Sequence, residues 1–252
     1  MVFRRQHLDI SAVGTENSVK FLRHREREQA GHQACAMIRY RHMGSRRTNP
    51  GSLFISACGV ETCILPSAVL STHTGGFKGF TFRDLTDDMP AIKDHWVSEG
   101  IKFDAIYSGY LGSTKQIEYV ADIFGAVDKE NTLKIVDPAM ADHGKLYYGF
   151  DGEFVNSMKE LCKVADYVIP NITEAAFLTD SEYKTDYDRE YIEMLLGKFK
   201  AMGCKNIIIS GVSYDADTTG VVVYKDGEYN YYQHKKLSRS CHGTGDIFAS
   251  AF

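Results

Sequence analysis

Gly243-Thr244-Gly245-Asp246, followed by the apolar run 247–252, has the residue types of an anion site with a base attached. Two glycines let the backbone turn sharply and come close to a ligand. The amides of the helical turn that follows would face the same point, helped by the helix dipole. A carboxylate placed there, Asp246, can take the proton of an alcohol as that alcohol attacks a phosphate. The same tetrapeptide also serves as a plain capping loop, and alone it does not choose. No G-x-x-x-x-G-K-[ST] occurs, which disfavours a P-loop enzyme.

Pro170-Asn171-Ile172-Thr173-Glu174 carries a second set of oxygen donors. As structure, Asn171 or Thr173 suits a helix N-cap and Glu174 its first turn. As chemistry, Asn171 and Glu174 suit hydrated Mg²⁺, a hard cation that prefers oxygen and keeps several waters. Asp137, before Pro138, is either a strand-end turn residue or a carboxylate near a metal and phosphates. Ser71-Thr72-His73-Thr74-Gly75-Gly76 is a polar loop in which His73 and Thr74 offer hydrogen bonds to a small polar ring, although a lone loop histidine is more often merely solvated. There is no H-x-x-x-H or H-E-x-x-H spacing and no G-x-S-x-G elbow, so zinc and serine hydrolases are disfavoured.

These residues need a scaffold to hold them. Residues 62–65 read as a short buried strand closed by Pro66, and the Gly-rich loop 71–79 follows. The pattern predicts a helix at 84–99, a strand at 105–108 leading into Gly109-Tyr110-Leu111-Gly112, and a helix at 114–127. A strand at 133–136 ends at Asp137-Pro138, and a helix near 153–164 leads to a strand at 167–169 that ends at Pro170-Asn171. Residues 188–202 carry Ile192, Leu195, Leu196 and Phe199 at helical spacing. A strand at 206–210 precedes a hairpin, 220–224 with 229–233, around Asp226-Gly227. Such alternation argues for a mainly parallel sheet covered on both faces. Ligands gather at the carboxyl ends of such strands, where Asp137, Asn171 and the loop 108–112 all fall.

A chain of 252 residues suits one α/β domain with a substantial core. With 44% hydrophobic and 25% charged residues it has the composition of a soluble globular protein. A net charge of -4 gives no electrostatic reason to expect nucleic acid or an anionic membrane as partner. No apolar run reaches the ~18–20 residues of a membrane span. The six cysteines (Cys35, Cys58, Cys63, Cys162, Cys204, Cys241) show no C-x-x-C spacing and are too sparse for a disulfide scaffold, so a reduced cytoplasmic compartment is expected. The first ten residues are basic but lack the apolar centre of a secretory signal. Nine of the twelve arginines lie in residues 1–50, and residues 15–50 show no sustained strand or helix pattern beyond a hint of helix at 19–27. Residues 1–50 are therefore set apart from a domain at 51–252, either as a flexible basic extension or as an aberrant stretch from a shifted frame or misassigned start.

Five elements in order, Ser71-Thr72-His73-Thr74-Gly75, Ser108-Gly109-Tyr110-Leu111-Gly112, Val136-Asp137-Pro138-Ala139-Met140, Pro170-Asn171-Ile172-Thr173-Glu174 and Gly243-Thr244-Gly245-Asp246, resemble the ribokinase-like superfamily and, within it, the pyridoxal (pyridoxine/pyridoxamine) kinase family. Each is weak alone; the match runs from about residue 55 to 252. The resemblance implies a central, mostly parallel sheet with helices on both faces, a small β flap near the substrate, and a homodimer. It implies transfer of the ATP γ-phosphate to the hydroxymethyl group of a B6 vitamer. By that analogy Asp246 is the base, and the amides of Gly243, Thr244 and Gly245 form the anion hole. Asp137, Asn171 and Glu174 would organise Mg²⁺ and the phosphates, with Asp137 and Glu174 as the metal carboxylates. Ser210 and Gly211 would lie by the nucleotide. His73, Thr74, Ser108 and Tyr110 would line the pyridine pocket. Phosphoryl transfer rests mainly on positioning and electrostatics, which suits a site made of loops and one base.

The chain also departs from that pattern. The family's first strand and Asp-x-Ser-Gly substrate loop are matched only by Asp9-Ile10-Ser11 and Gly14, about forty residues ahead of Ile55, with the first helix absent or scrambled. The chain stops barely one turn beyond Asp246, so the kinase domain reads as incomplete at its C-terminus and its activity as an open question. Hydroxymethylpyrimidine kinase, on the same fold, is the neighbouring reading, though the loop 108–112 favours the pyridoxal branch. A truncated, non-catalytic binder of nucleotide or B6 is the reading from a different class. The need for a monovalent cation stays open.

Overall fold

The computed structural model describes residues 33–41, 50–71, 79–238 and 243–252, with side chains from residue 54 onward. Nine of its strands form one sheet: β1 (Gln33–Arg41), β2 (Glu61–Leu70), β3 (Phe82–Asp84), β4 (Ala105–Ser108), β5 (Leu133–Val136), β8 (Tyr167–Val168), β9 (Asn206–Val212), β10 (Thr218–Lys225) and β11 (Glu228–Lys235). Their spatial order is β11-β10-β9-β8-β5-β4-β1-β2-β3. The six from β9 to β2 are parallel, and the antiparallel strands lie at the two ends. A separate hairpin, β6 (Ala141–Asp142) with β7 (Lys145–Leu146), follows Asp137 directly. The chain winds outward from β1 to β2 and β3, then returns to β4 and winds the other way. The order therefore switches between β1 and β4, where the strand ends leave a crevice.

Seven helices are described: α1 (Pro50–Ala57), α2 (Met89–Ser98), α3 (Thr114–Ala126), α4 (Gly152–Val164), α5 (Ile172–Leu178), α6 (Arg189–Ala201) and α7 (Thr244–Ala251). Their starts are written locally. Ser113 accepts from the Gln116 amide at 3.3 Å, Asp151 from Glu153 and Phe154 at 3.0 and 3.1 Å, and Asp188 from Tyr191 at 2.9 Å. Each cap satisfies a first-turn amide that has no partner within the helix. Behind the caps the apolar residues recur at helical spacing, as in Ile192, Leu195, Leu196 and Phe199, all fully buried.

Alternate strand residues feed two cores. Ile106, Val136, Val168, Ile207, Ile209 and Val222 join a large core with α2 to α6. Their neighbours Tyr107, Ile135, Ile169, Ile208 and Val223 join a smaller one, packed by Ile55 of α1 and by Phe248 and Ala249 of α7. Strands buried on both faces read as continuous apolar runs, which is why Ile207-Ile208-Ile209 shows no polar alternation.

Most predicted elements recur within two residues, but four differ. The strand at 62–65 does not stop at Pro66; β2 runs to Leu70. Proline lacks an N–H, yet β3 pairs only with Ala68–Leu70, and the β1 register slips between Ile38 and Tyr40, beside the Ile38–Pro66 pair. The helix predicted from 84 starts at Met89, because Phe82–Asp84 pairs as β3 and Thr86–Asp88 makes a tighter turn first. Residues 1–50 do not all stand outside the fold: Gln33–Arg41 pairs with β2 and, through Ala34–Met37, with β4. An eight-residue helix, α1, occupies the place where the first helix reads as absent, with Pro50 at its first position, where a missing N–H costs nothing. The faint Asp9–Gly14 substrate loop lies outside the described residues.

Candidate active site

Consecutive strands of the sheet end in the residues singled out by sequence. Ser210 and Gly211 lie in the last three residues of β9, Asn171 follows β8, Asp137 follows β5 and Ser108 ends β4. Backbone bonds lock these ends together: Asp137 N donates to Ser108 O at 2.8 Å, and Ser210 N to Pro170 O at 2.9 Å. Asn171 and Ser210 pair as an isolated parallel bridge.

Asn171 rather than Thr173 caps α5. Its Oδ1 accepts from the Glu174 amide at 2.9 Å, while Glu174 Oε2 accepts from the Asn171 amide at 2.8 Å, a reciprocal capping box. The Asn171 Nδ2 donates to Ala141 O at 2.9 Å, and Glu174 Oε1 accepts from the Met140 amide at 3.2 Å. Thr173 Oγ1 accepts from the Gly144 amide at 3.1 Å, which fastens the β6–β7 hairpin to the same helix start. The structural and the chemical readings of this motif are thus compatible, since the caps orient Glu174 as they hold the turn.

Asp137 and Glu174 are both buried, at 8% and 3% exposure. Burial first, then the charge of Asp246, pushes the Asp137 carboxyl up to about 7, against a lowering hydrogen bond from Tyr107. Burial and the charge of Asp137 raise Glu174 well above the usual carboxylate range, although three backbone amides oppose the shift. Among the described residues neither carboxylate pairs with a Lys or Arg. Buried acids without a cation fit a hard divalent ion. Among the described residues no three His, Cys, Asp or Glu side chains form a ready-made metal cage. Such an ion would complete its shell with water and phosphate oxygens, the usual habit of Mg²⁺.

Asp246 lies in the first turn of α7, half-buried, and its charge is felt at both Asp137 and Tyr107. Gly243 precedes that turn in the left-handed region, φ 83°, where a side chain would be strained. Thr244 and Gly245 are exposed, so the start of the helix opens outward. Gly211 is the extra residue where β9 bulges against β10, with φ 73° and no atom within 4 Å of an added Cβ, which leaves its backbone approachable.

The ring side of the site is only partly described. His73 and Thr74 lie outside the described residues. Tyr110 sits 5.6 Å, ring to ring, from Phe150, which stacks on Phe154 at 3.9 Å. Its loop is held by buried Gln116, which accepts from the Gly112 amide at 2.7 Å and donates to Ser67 O at 3.1 Å and Thr86 Oγ1 at 2.8 Å. Ser108 is fully buried and its hydroxyl has no partner among the described residues. Two tyrosines at the site are missed by sequence reasoning. Tyr107 donates to Asp137 Oδ2 at 3.1 Å, and the phenol of Tyr147 is raised by burial and by the charges of Glu174, Asp142, Asp137 and Asp246. Neither sits in a motif; Tyr107 looks like any aromatic in a buried strand.

A family model for phosphomethylpyrimidine kinases matches residues 54–252. The chain belongs to this family. Among solved structures of similar fold, a Bacteroides thetaiotaomicron VPI-5482 protein provisionally assigned as a phosphomethylpyrimidine kinase, in a crystal form with pyridoxal, is 36% identical with a TM-score of 0.81, over 88% of this chain and 78% of its own. Pyridoxal kinase from Lactobacillus plantarum is 29% identical with a TM-score of 0.78, over 87% and 78%. Pyridoxal kinase of Dictyostelium discoideum is 28% identical, over 76% of this chain and 67% of its own. The chain spans 57% to 67% of the length of three curated relatives. The ribokinase-like α/β fold and the kinase family expected from the five motifs are both borne out. Among the described residues no helix is long and apolar enough to cross a membrane.

Proposed function

We propose that this chain is an ATP-dependent kinase that phosphorylates the hydroxymethyl group of a B6 vitamer, pyridoxal, pyridoxine or pyridoxamine. One observation carries the reading: the charge of Asp246, in the first turn of α7, acts on buried Asp137, and that of Asp137 on buried Glu174, at the ends of neighbouring strands. A base, an anion-binding turn and a cation-demanding pair are what phosphoryl transfer to an alcohol requires.

In this reading Asp246 takes the hydroxymethyl proton and keeps it while the alkoxide oxygen bonds to the γ-phosphorus. The bond from that phosphorus to the β,γ-bridging oxygen breaks, and ADP leaves with the electron pair. The amides of Gly243, Thr244 and Gly245 hold the charge that develops on the transferred group. Asp137, Asn171 and Glu174 are the residues that would hold Mg²⁺, which when bound supplies neutralisation of phosphate charge. Ser210 and the open backbone of Gly211 would border the nucleotide. Tyr110, with His73 and Thr74, would line the ring pocket above the Ser108 floor. Assembly as a homodimer belongs to the same reading; light scattering should then give a mass about twice the 28.3 kDa chain.

The family match favours one alternative acceptor, hydroxymethylpyrimidine or its phosphate. A coupled ADP-release assay with pyridoxal, pyridoxine and hydroxymethylpyrimidine separates the two. We expect turnover with the B6 vitamers, and a loss of about 10²–10⁴-fold in kcat for Asp246→Asn. Turnover with the pyrimidine alone would reassign the substrate. Binding of nucleotide or pyridoxal without turnover of any ring would make the chain a non-catalytic binder.

A further inference from the structure

Tyr107 sits on β4 with its ring in the smaller core, among Ile135, Ala249 and Phe248, and is only 5% exposed. Ala249 and Phe248 belong to α7, the helix that carries Asp246. The phenol of the same side chain reaches the end of the next strand and donates to Asp137 Oδ2 at 3.1 Å. One residue therefore shares a core with the base helix and holds the carboxylate at the end of the next strand. Space for the hydroxyl depends on Gly109, where an added Cβ would come within 3.3 Å of the Tyr107 oxygen. A phenylalanine would fill this apolar slot equally well, so packing alone does not call for the hydroxyl. A buried phenol in a strand also needs a hydrogen-bond partner, and here that partner is a functional carboxylate.

We propose that Tyr107 is a positioning residue for phosphoryl transfer: its hydroxyl fixes the direction of the Asp137 carboxylate. This rests on the kinase reading above. Groups that orient a metal-binding carboxylate commonly change affinity or activity by on the order of tenfold or more when removed. Tyr107 would act in this way without touching substrate.

Tyr107→Phe keeps the ring and removes the hydrogen bond. Calorimetry of ADP binding, with and without Mg²⁺, reads its effect without any acceptor. We expect Mg²⁺-dependent ADP affinity to fall on the order of tenfold and Mg²⁺-free affinity to stay within about twofold. In turnover kcat should fall with little change in the KM for pyridoxal, and the melting temperature of the unliganded protein should stay within a few degrees. Gly109→Ala, which crowds the hydroxyl, should weaken Mg²⁺-dependent ADP binding in the same direction. A Tyr107→Phe protein with wild-type Mg²⁺-dependent affinity, or one that loses both affinities together with its stability, overturns the proposal. If wild type binds Mg²⁺-ADP but turns over no ring, the substrate reading fails while the calorimetry still decides Tyr107. If wild type binds no ADP, both fail.

Discussion

At the scale of single residues, the site combines groups that would repel one another in an empty pocket. Asp137 is held up to about 7 against an ordinary value of 3.8, so between those limits the folded chain keeps a proton that the unfolded chain gives up. Its contribution to stability is therefore greatest below the lower value and is lost as pH rises through the upper one. Glu174 shifts in the same direction, chiefly through burial and then the charge of Asp137. Other carboxylates act oppositely, so the informative quantity is the difference between wild type and Asp137→Asn. Melting curves without nucleotide should show the variant gaining on wild type as pH rises through this window, by up to about 4 kcal/mol at the top. The same variant should lose most of its Mg²⁺-dependent ADP affinity. A function that costs stability in the empty site is a common feature of active centres.

At the scale of elements, caps and strand registers position these residues. Asp188 holds the first turn of α6, and Asp188→Ala should cost about 1 kcal/mol in urea unfolding while leaving kcat unchanged. Gly220 is less forgiving. It pairs with Gln233 across the β10–β11 hairpin, and an added Cβ would come within 1.8 Å of Tyr232 O. Because the obstacle is backbone rather than a movable side-chain tip, Gly220→Ala should destabilise by about 2 kcal/mol or more, read as a lower urea midpoint. The cap of α5 was legible in sequence, down to a choice between Asn171 and Thr173, because an N-cap is a contact between residues two or three apart. The departure at β2 was not, because tolerance of Pro66 depends on where β1 and β3 end alongside it, and both are distant in the chain.

At the scale of the whole molecule, the described side chains fill the two faces of the sheet unequally. Among the described residues, the face under α2 to α6 buries most of the large apolar side chains, whereas the face under α1 and α7 buries few. α7 contributes one fully buried residue, Ala249, with Phe252 of the following turn 4.9 Å from the Tyr167 ring. A short helix that rests chiefly on α1 and buries one residue should open locally before the sheet does. Hydrogen exchange should show α7 amides exchanging well before those of β9, and nucleotide with Mg²⁺ should slow α7 selectively. Equal protection of α7 and β9 in the unliganded protein would contradict this.

The sequence by itself determined the alternation of strands and helices, a cap for α5 at Asn171 or Thr173, the β10–β11 hairpin, and the strand-end positions of Asp137, Asn171 and Ser108. All of these follow from periodicity or from contacts between residues close in the chain. The tertiary structure alone decided that the charges of Asp137, Glu174 and Asp246 meet around Tyr107, that Gln33–Arg41 enters the sheet between β2 and β4, and that Tyr107 bonds to Asp137. Asp137 and Asp246 lie roughly a hundred positions apart, and their approach depends on the order in which parallel strands stack. Strand order is set by the summed burial of both faces of the sheet, a quantity that no local window of sequence contains.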